Sequence, residues 1–545
     1  MIDFRLVSCL DKVFCDEAPA PMAFAPEGLR GEEVSFQAAW RSLDPSFARD
    51  YVTLEIESPI RDAIKLCRVR QVPVAYAWIP CEDKNYLRTS PGLYPDALTD
   101  AEGERLRVYS GHWEAAWLSI VPPEGLPAGE YPIRLRLLSA GGEVLAEQMT
   151  AYTLYDAALP KQKLIHTRWF HNDGLCSYYG VQMFSEEFWR IAENFIRAAA
   201  DMSVNCLLTP VHTPPLDTRV GGERLTCQLV DIEKRGENYS FGFEKLERWI
   251  RLAQKCGIEY FEIAHFFTQW GAEHAPKIVA RVDGQEKRIF GWETDAAGEE
   301  YTAFLRRYIP ALRRELERLG VLDKCLFHIS DEPNRDHIES YARARAGIEE
   351  ELKSLTVIDA LSNIEFYEKG IVTKPVPASN HIRPFLEARV PGLWTYYCVG
   401  QFKDVSNAFI AMPSPRTRAI GLQMFKYGIE GFLQWGFNFY NSQYSDYPVN
   451  PWTTTDGDGF TPAGDCFIVY PAPDGRAWPS IRAKVFKQAV QDMRALEALA
   501  EKIGRDETVK LVEEYMGPVE FDVCPKDGDC YFRLRRKVNR ILAEE

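Results

Sequence analysis

The sequence lacks the features that would assign it to a membrane or to nucleic acid. It contains no run of about 18 apolar residues, so no membrane-spanning helix is predicted. Positive charge is in deficit, because 64 Lys and Arg residues stand against 79 Asp and Glu residues, and the net charge is −15. Such a chain repels phosphate backbones and anionic lipids, so we expect no nucleic-acid partner and no membrane insertion.

Paired cysteines and metal-binding motifs are also missing. The 13 cysteines are an odd number scattered along 545 residues, with no CxxC motif. The closest pairs, Cys9 with Cys15 and Cys524 with Cys530, do not have the spacing of a zinc site. We therefore expect reduced thiols, no metal and no other cofactor. Charges interrupt the first 14 residues, so no secretion signal is predicted and the expected location is cytoplasmic.

Residues 1–160 have the pattern of short β-strands. The segment 51–56 alternates apolar and polar residues, and the segment 129–155 contains such alternation before the turn Gly141-Gly142. Short strands with tight turns and little helical periodicity are typical of a β-sandwich. We predict an N-terminal antiparallel β-sandwich over residues 1–160, which carries no evident chemistry.

After residue 160, strand-like and helix-like segments alternate. Apolar runs such as 164–170 and 324–330 are separated by amphipathic stretches such as 186–202 and 243–256. About eight strands of this kind predict a (β/α)8 TIM barrel over residues 161–505, with residues 506–545 as an extension packed on it. An open sheet is disfavoured because the first strand leads into WFHNDGLC, which is not a glycine-rich phosphate loop. The predicted class is thus multidomain, β followed by α/β.

Many aromatic and polar residues follow the predicted barrel strands. In a barrel of this kind the functional groups lie at the carboxyl ends of the strands. Aromatic rings suit the apolar faces of sugars, and amide and imidazole groups suit sugar hydroxyls. The alternative is that these residues are structural. We predict the following substrate-binding residues at strand ends: His171, His265, Trp270, Trp394, Tyr396, Tyr397, Trp435 and Asn438.

The most distinctive pattern is HISDEP at 328–333, where an apolar strand ends in two adjacent acids, Asp331 and Glu332. Neighbouring strand residues point to opposite faces, so the chain must bend for both carboxyls to reach one pocket. Pro333 marks such a stop. Adjacent carboxyls repel each other, which raises the pKa of one of them toward the range that a general acid needs. The alternative is a helix N-terminus capped by Asp331 or Asn334.

Glycoside hydrolysis commonly needs two carboxyls from different strands, but the strand segments LWTYYC at 393–398 and FLQWGFNFY at 432–440 carry no acid. A substrate with a 2-acetamido group can supply its own nucleophile, the amide oxygen, and form an oxazolinium intermediate. The enzyme then needs one acid to protonate the leaving group and one carboxylate to orient the amide N–H. The adjacent pair can provide both groups.

Five segments together resemble the catalytic domain of glycoside hydrolase family 123. They are EIAHFFTQWGAEHAPKI (262–278), RIFGWETDAAGEEYTAFL (288–305), HISDEP (328–333), LWTYYC (393–398) and GDCFIVYPAPDG with PSIR (464–482). The resemblance implies an N-terminal β-sandwich followed by a (β/α)8 barrel. It also implies an exo-acting β-N-acetylgalactosaminidase that retains configuration by substrate-assisted catalysis on glycans or glycoconjugates with a terminal N-acetylhexosamine.

The same resemblance implies roles for individual residues. Asp331 would polarise the acetamido group and Glu332 would be the acid/base. Trp394, Tyr396 and Trp435 would form walls of the acetamido pocket. Trp292, in the second of the five segments, is a further predicted substrate-binding residue.

Two other functions stay open at this point. One is a carbohydrate-binding barrel that is non-catalytic or differently specific, for example for β-linked N-acetylglucosamine. In a hydrolase, Asp331 and Glu332 should both line one pocket. The other is a metalloenzyme that uses His265, His274 and His328, which the absence of HxH and HExxH spacing disfavours.

Overall fold

The computed structural model describes residues 1–45 and 50–544. In this part of the chain, strands with almost no helix occupy the region up to Ala158, and strands alternate with helices afterwards. The predicted change near residue 160 is therefore confirmed, because an N-terminal β region precedes an α/β region. Within the described residues, no helix combines the length and the apolar character needed to cross a bilayer.

Ten strands form the part of the N-terminal β region that the structure describes: β1 (Ile2–Ser8), β2 (Glu27–Arg30), β3 (Val34–Ser42), β4 (Asp50–Glu57), β5 (Ile64–Val74), β6 (Gly92–Asp100), β7 (Leu106–Val108), β8 (Glu114–Ile120), β9 (Gly129–Leu138) and β10 (Val144–Ala158). They form two sheets, in the orders β1-β3-β8-β5-β6 and β2-β10-β9-β4-β7. The pairs are antiparallel, except that β2 runs parallel to β10. The expectation of an entirely antiparallel sandwich is wrong at that edge.

The alternation that predicted the β9–β10 hairpin has a clear physical basis. Ile133, Leu135 and Leu137 are fully buried between the sheets. Arg134 and Arg136 alternate with them and form ion pairs with Glu57 on the outer face. One face of the strand therefore supplies the core and the other meets solvent.

The α/β region, as far as it is described up to residue 544, contains fourteen more strands and twelve α-helices. The strands are β11 (Ile165–Arg168), β12 (Cys206–Thr209), β13 (Asp231–Arg235), β14 (Asn238–Gly242), β15 (Tyr260–Ile263), β16 (Ile278–Val282), β17 (Gln285–Phe290), β18 (Cys325–Leu326), β19 (Asp359–Ala360), β20 (Pro375–Val376), β21 (Trp394–Tyr396), β22 (Gly431–Gln434), β23 (Val469–Pro471) and β24 (Ala477–Pro479). The helices are α1 (Asn172–Tyr179), α2 (Glu186–Asp201), α3 (Glu244–Lys255), α4 (Glu299–Arg318), α5 (Ile338–Ala346), α6 (Glu349–Leu352), α7 (Glu365–Glu368), α8 (Arg383–Glu387), α9 (Ser414–Tyr427), α10 (Ile481–Ile503), α11 (Arg505–Met516) and α12 (Asp529–Ala543).

Eight of these strands pair only in parallel. Six form a sheet in the order β18-β15-β12-β11-β22-β21, and β19 pairs with β20. Single parallel bridges, Phe327 with Val357 and Ala378 with Tyr396, continue the pairing on both sides of the two-stranded sheet. Because all these pairings are parallel, the carboxyl ends of the eight strands lie at one end of the region, where the sequence placed the candidate site.

Sequence patterns missed a four-stranded sheet in the order β14-β13-β16-β17. Its strands carry many exposed charged residues, for example QEKRIF in β17, so they show little apolar alternation. The helical segment that follows the HISDEP motif is also interrupted. Helix α5 ends at Ala346, and α6 begins only at Glu349.

Inward-facing side chains of the parallel strands form one apolar cluster that includes Leu208, Leu326, Ala360, Trp394 and Leu433. Trp394 is accommodated by a glycine on the neighbouring strand. A Cβ at Gly431 would lie 2.0 Å from the Trp394 indole, so only glycine leaves room for that ring.

The sheet β1-β3-β8-β5-β6 is buried on both faces. Leu118 of β8 faces the interior of the sandwich, whereas Trp117 belongs to the core shared with the α/β region. Across this interface, Arg482 at the start of α10 makes two hydrogen bonds of 2.9 Å with Asp96 of β6. Tyr470 donates to the same carboxylate at 2.7 Å. Arg482 and Asp96 are almost completely buried, so their mutual pairing compensates the loss of hydration.

The C-terminal helices also connect the two regions. Arg535 of α12 binds Glu32 next to the sandwich and Asp492 of α10, each at 2.8 Å. Arg418 of α9 contacts the same Asp492 at 2.6 Å. These buried ion pairs hold residues 505–543 against both the sandwich and the last long helix.

We expect the Asp96→Asn variant to be about 3–5 kcal/mol less stable than the wild type, because it leaves Arg482 buried without its anionic partner. Thermal unfolding by calorimetry measures the change. The matched control is Asp156→Asn, which removes an exposed carboxylate paired with Arg30 and should cost less than about 1 kcal/mol. Similar losses in both variants would contradict this account of the interface.

Candidate active site

A cavity of about 210 Å³ opens at the carboxyl ends of the parallel strands. Both acids of the HISDEP segment line it. Its other lining residues come from several strands and from the loops that follow them: Trp169, Leu216, Asp217, Trp270, Ala360, Tyr396, Cys398, Val399, Leu433, Trp435, Gln443, Tyr444 and Phe460.

A left-handed backbone turn allows both acids to face the cavity. Glu332 has a φ of +44°, which is rare for a residue with a side chain and costs conformational energy. The turn is held from both sides, because Trp270 N donates to Asp331 O at 2.8 Å and Glu332 N donates to Ala360 O at 3.0 Å. The bend that the sequence required at Pro333 is thus present one residue earlier.

Neither acid serves as a helix cap. Asn334 Oδ1 accepts a hydrogen bond from Asp336 N at 2.8 Å, and His337 completes a reciprocal capping arrangement. The capping alternative therefore applies to Asn334 and leaves Asp331 and Glu332 directed at the cavity.

The environment of the pair favours protonation. Burial raises the pKa of Asp331 well above its ordinary value, and repulsion by Glu332 adds to this shift. Burial also raises the pKa of Glu332, although the hydrogen bond that Tyr396 OH donates to Glu332 Oε1 at 2.6 Å opposes the shift. Two such carboxyls retain one shared proton more readily than isolated acids do. The pair can therefore combine a proton donor with a carboxylate.

Beneath the pair lies a buried charged network. His328 donates from Nε2 to Glu262 Oε1 at 2.6 Å and from Nδ1 to Asp359 Oδ1 at 3.3 Å. Burial opposes a charge on the ring, but the hydrogen bonds to Asp359 and Glu262 outweigh it and raise the pKa of His328 to about 9. The imidazolium therefore lies between two carboxylates below the cavity and offsets part of their negative charge. Tyr341 OH donates to the other oxygen of Asp359.

Two indoles of the cavity wall are oriented by buried carboxylates. Trp169 Nε1 donates to Glu262 Oε1 at 2.8 Å, and Trp435 Nε1 donates to Asp465 Oδ2 at 2.9 Å. Burial raises the pKa of Asp465 to about 7. Each indole presents its ring to the cavity while its polar N–H is satisfied behind it.

The arrangement does not suit the metal site considered from the sequence. Ligand atoms of His265, His328 and Asp359 lie within 4.8 Å of one another. However, the two imidazoles are stacked at 4.2 Å with 25° between their planes. Nitrogen lone pairs lie in the ring plane, so stacked rings do not direct them at a common ion. His274 instead packs its ring edge against Trp292.

Three of the nine predicted substrate-binding residues line the cavity: Trp270, Tyr396 and Trp435. The other six do not line this cavity. His265 is buried beside His328, and Trp394 fills the space over Gly431 on the neighbouring strand. Tyr397 points away from Tyr396, as neighbouring strand residues must, and contacts Arg168.

The remaining three have structural partners. Asn438 exchanges hydrogen bonds with the backbone of His171 at 2.8 Å and 3.1 Å. The His171 ring contacts Arg224, which forms a buried ion pair with Asp173. Trp292 donates to Gly222 O at 3.1 Å and lines a separate, smaller cavity.

Sequence reasoning also missed several lining residues. Asp217, Gln443, Tyr444 and Phe460 lie in loops that have no motif or periodicity, so only the folded chain brings them to the cavity. Burial raises the pKa of Asp217 to about 6. Trp169 was detectable from the sequence, since it directly follows β11, the first strand of the α/β region.

The sequence profile of the glycoside hydrolase 123 catalytic domain matches residues 169–499, which is more than half of the chain. The chain belongs to glycoside hydrolase family 123. It is therefore a glycosidase, and the cavity with Asp331 and Glu332 lies within the matched segment. No curated protein sequence matches the chain.

Comparison with solved structures concerns the fold. A family 123 glycoside hydrolase from Clostridium perfringens, described for glycolipid glycan hydrolysis, superposes with a TM-score of 0.73 at 13% identity, covering 99% of this chain and 97% of that one. A putative β-galactosidase from Bacteroides fragilis gives a TM-score of 0.32 at 10% identity over 84% of this chain and 58% of that one. A GH10 xylanase from Thermobacillus composti gives a TM-score of 0.29 at 12% identity, covering 60% of this chain and 97% of that one. Only the first similarity is close enough to bear on the fold.

The charged network predicts a pH dependence of stability. The folded-state pKa of His328, about 9, lies above the ordinary value of 6.5, so its contribution is complete below about pH 6.5 and is lost as the pH rises through about 9. We expect the stability difference between wild type and His328→Gln to shrink by about 3 kcal/mol between pH 7 and pH 10 in urea unfolding. The exposed His381→Gln control should show no such change. A pH-independent difference for His328→Gln would mean that the buried ring is neutral.

Proposed function

We propose that this family 123 glycosidase is an exo-acting β-N-acetylgalactosaminidase that retains configuration by substrate-assisted catalysis. The observation that carries the proposal is the left-handed turn at Glu332, which directs the carboxyls of two consecutive residues into one cavity. An acid and an adjacent carboxylate are what a 2-acetamido substrate requires when its amide oxygen is the nucleophile.

In the proposed first step, the acetamido oxygen attacks the anomeric carbon while the glycosidic bond breaks. Glu332 gives its proton to the departing oxygen, and Asp331 accepts a hydrogen bond from the acetamido N–H, which orients the group and stabilises the developing oxazolinium cation. In the second step, Glu332 takes a proton from water, which attacks the anomeric carbon and reopens the ring. Two inversions at the same carbon retain the β configuration.

The cavity wall supports binding of an acetamido methyl group. Trp169, Ala360 and Leu433 supply apolar surface, and Tyr396 lies against Glu332 with its hydroxyl as donor. The hydroxyl therefore holds the proposed acid in position while the ring forms part of the wall. Of the residues expected to surround this group, Tyr396 and Trp435 keep that role in the proposal and Trp394 does not.

We further propose that the eight parallel strands close into a (β/α)8 barrel. The single bridges on both sides of β19 and β20 support closure, since they link the two sheets in chain order. The proposed units are a sandwich over residues 1–160, a catalytic barrel over 161–505 and an extension over 506–545.

The substrate class follows from family membership and from the Clostridium perfringens relative, whose printed description names glycolipid glycans. We propose glycans or glycolipids that end in β-linked N-acetylgalactosamine. A preference for β-linked N-acetylglucosamine and a non-catalytic sugar-binding role are the alternatives.

A panel of aryl glycosides tests this function. We expect hydrolysis of the β-N-acetylgalactosaminide, with weaker or no hydrolysis of the β-N-acetylglucosaminide and none of the plain β-galactoside or β-glucoside. Cleavage of the plain β-galactoside would exclude a required acetamido nucleophile. It would instead favour a double displacement, for which Asp217 is the additional carboxyl in the cavity.

The two acids should respond differently to leaving-group quality. Glu332→Gln should lower kcat/KM by about 10²–10⁴-fold for an alkyl or sugar leaving group, the usual size of a general-acid contribution. Its effect should be smaller for a highly acidic phenol, which leaves without protonation. Asp331→Asn should lower kcat/KM by a similar factor for all substrates, because Asp331 acts on the acetamido group and not on the leaving group. The measurement is kcat/KM for a series of aryl glycosides whose phenols differ in acidity. An identical dependence of kcat/KM on the acidity of the phenol in the two variants would refute the assigned roles.

A further inference from the structure

The outer part of the cavity has a different character from its floor. Trp270 is 38% exposed, although it lines the same cavity as Asp331. Its ring meets that of Tyr444 edge to face, with 6.0 Å between centroids. The lining residue Gln443 is exposed beside them. An exposed tryptophan at a cavity mouth presents apolar surface that a ligand can cover.

Two loops are joined at this mouth, and we call residues 217–219 and 442–446 the clasp. Asp217 Oδ2 accepts from Tyr444 N at 2.9 Å, and Ser445 Oγ donates to Asp217 O at 2.8 Å. Arg219 N donates to Tyr444 O at 3.1 Å, and the Arg219 guanidinium binds both oxygens of Asp446. The clasp therefore fixes the backbone of Tyr444, and the Arg219 guanidinium lies 5.1 Å from the centre of the Tyr444 ring.

Strained backbone is concentrated in the same place. Trp270, Asp217, Tyr444 and Ser445 all have φ between +38° and +59°. Each of these left-handed conformations is costly for a residue with a side chain and persists only where surrounding contacts hold it. The backbone N–H of Trp270 donates a hydrogen bond to the carbonyl of Asp331. This bond fixes the position of Trp270, at the cavity mouth, relative to the proposed catalytic pair.

The charge of the cavity is of one sign. Asp217, Asp331 and Glu332 line it, and none of the described lining residues is Lys or Arg. Arg219 lies over the Tyr444 ring, but its charge is already paired with Asp446. The charge at the mouth is therefore negative overall, so an anionic group is repelled.

We propose that Trp270, Tyr444 and Asp217 form the subsite for the leaving-group sugar, and that this subsite accepts an uncharged sugar and rejects an anionic one such as a uronic acid. The inference rests on the proposed function and adds the class of aglycone to it. Trp270 stacks on the apolar face of the second sugar. Asp217 accepts a hydrogen bond from a hydroxyl of a neutral ring, which a carboxylate on that ring cannot donate.

The stacking role is tested with two substrates that share the N-acetylgalactosamine unit. One is a neutral disaccharide in which this unit is β-linked to galactose, and the other is β-N-acetylgalactosaminyl fluoride, whose leaving group has no ring. We expect Trp270→Ala to lower kcat/KM for the disaccharide by about 10–100-fold. The same variant should change kcat/KM for the fluoride by less than about twofold. Trp270→Phe should restore most of the loss.

Val220→Ala is the control, since Val220 is exposed next to the clasp and does not line the cavity; it should leave both substrates unchanged. Equal losses for both substrates in Trp270→Ala, or no loss for the disaccharide, would overturn the subsite. A wild-type enzyme that hydrolyses neither substrate would instead overturn the proposed function and this inference with it.

The charge preference is tested with a second disaccharide, in which the same unit is β-linked to glucuronic acid. Above pH 7, where Asp217 is ionised, we expect the wild type to favour the galactose disaccharide. Asp217→Asn should raise the relative kcat/KM for the anionic disaccharide by about fivefold or more. Glu223→Gln makes the same charge change outside the cavity, at a residue paired with Lys277 and Arg288. Equal shifts in both variants, or none in Asp217→Asn, would overturn the role of Asp217.

Discussion

A single left-handed residue determines what the cavity of this family 123 protein can do. In an extended strand the side chains of Asp331 and Glu332 would point to opposite faces, and one carboxyl would enter the surrounding core. The φ of +44° at Glu332 turns the second carboxyl back toward the first. The cost of that conformation, about 1–3 kcal/mol, is offset by backbone hydrogen bonds to Trp270 and Ala360, which lie on either side of the segment. Loops and strands around the cavity thus maintain a geometry that the local sequence alone would not adopt.

The charges below the cavity serve its geometry more than the stability of the fold. Buried ion pairs often contribute little net stability, because desolvation opposes their attraction. Here Glu262 and Asp465 are placed so that they bind the N–H groups of Trp169 and Trp435. His328 then forms hydrogen bonds to both Glu262 and Asp359, and its single positive charge offsets part of their negative charge. The two indole rings are therefore held in fixed orientations. The charged groups below Asp331 and Glu332 are held in place by their hydrogen bonds.

The sequence predicted elements whose residues interact locally and missed those that depend on long-range packing. The β9–β10 hairpin and helices α2 and α3 follow from periodicity, and they lie within a few residues of the predicted bounds. The acid pair was visible because a polar motif followed an apolar strand. By contrast, Asp217 and Tyr444 are 227 residues apart in their hydrogen bond, and no local pattern encodes that contact. The sequence positions of three residues suggested that they bind substrate: His171, Tyr397 and Asn438. In the folded chain their polar atoms form hydrogen bonds with other protein groups instead.

A nucleophile supplied by the substrate simplifies what the fold must position. An enzyme with a protein nucleophile must hold two carboxyls at a set distance. When these come from separate strands, the registration of the strands determines catalysis. In the mechanism proposed here, both acids come from consecutive residues, and one backbone torsion sets their relation. The other strand ends are then free to carry Trp169, Tyr396 and Trp435, which shape the cavity without taking part in proton transfer. A cavity with aromatic walls on several strands and its acid pair on one is the arrangement that this division of roles requires.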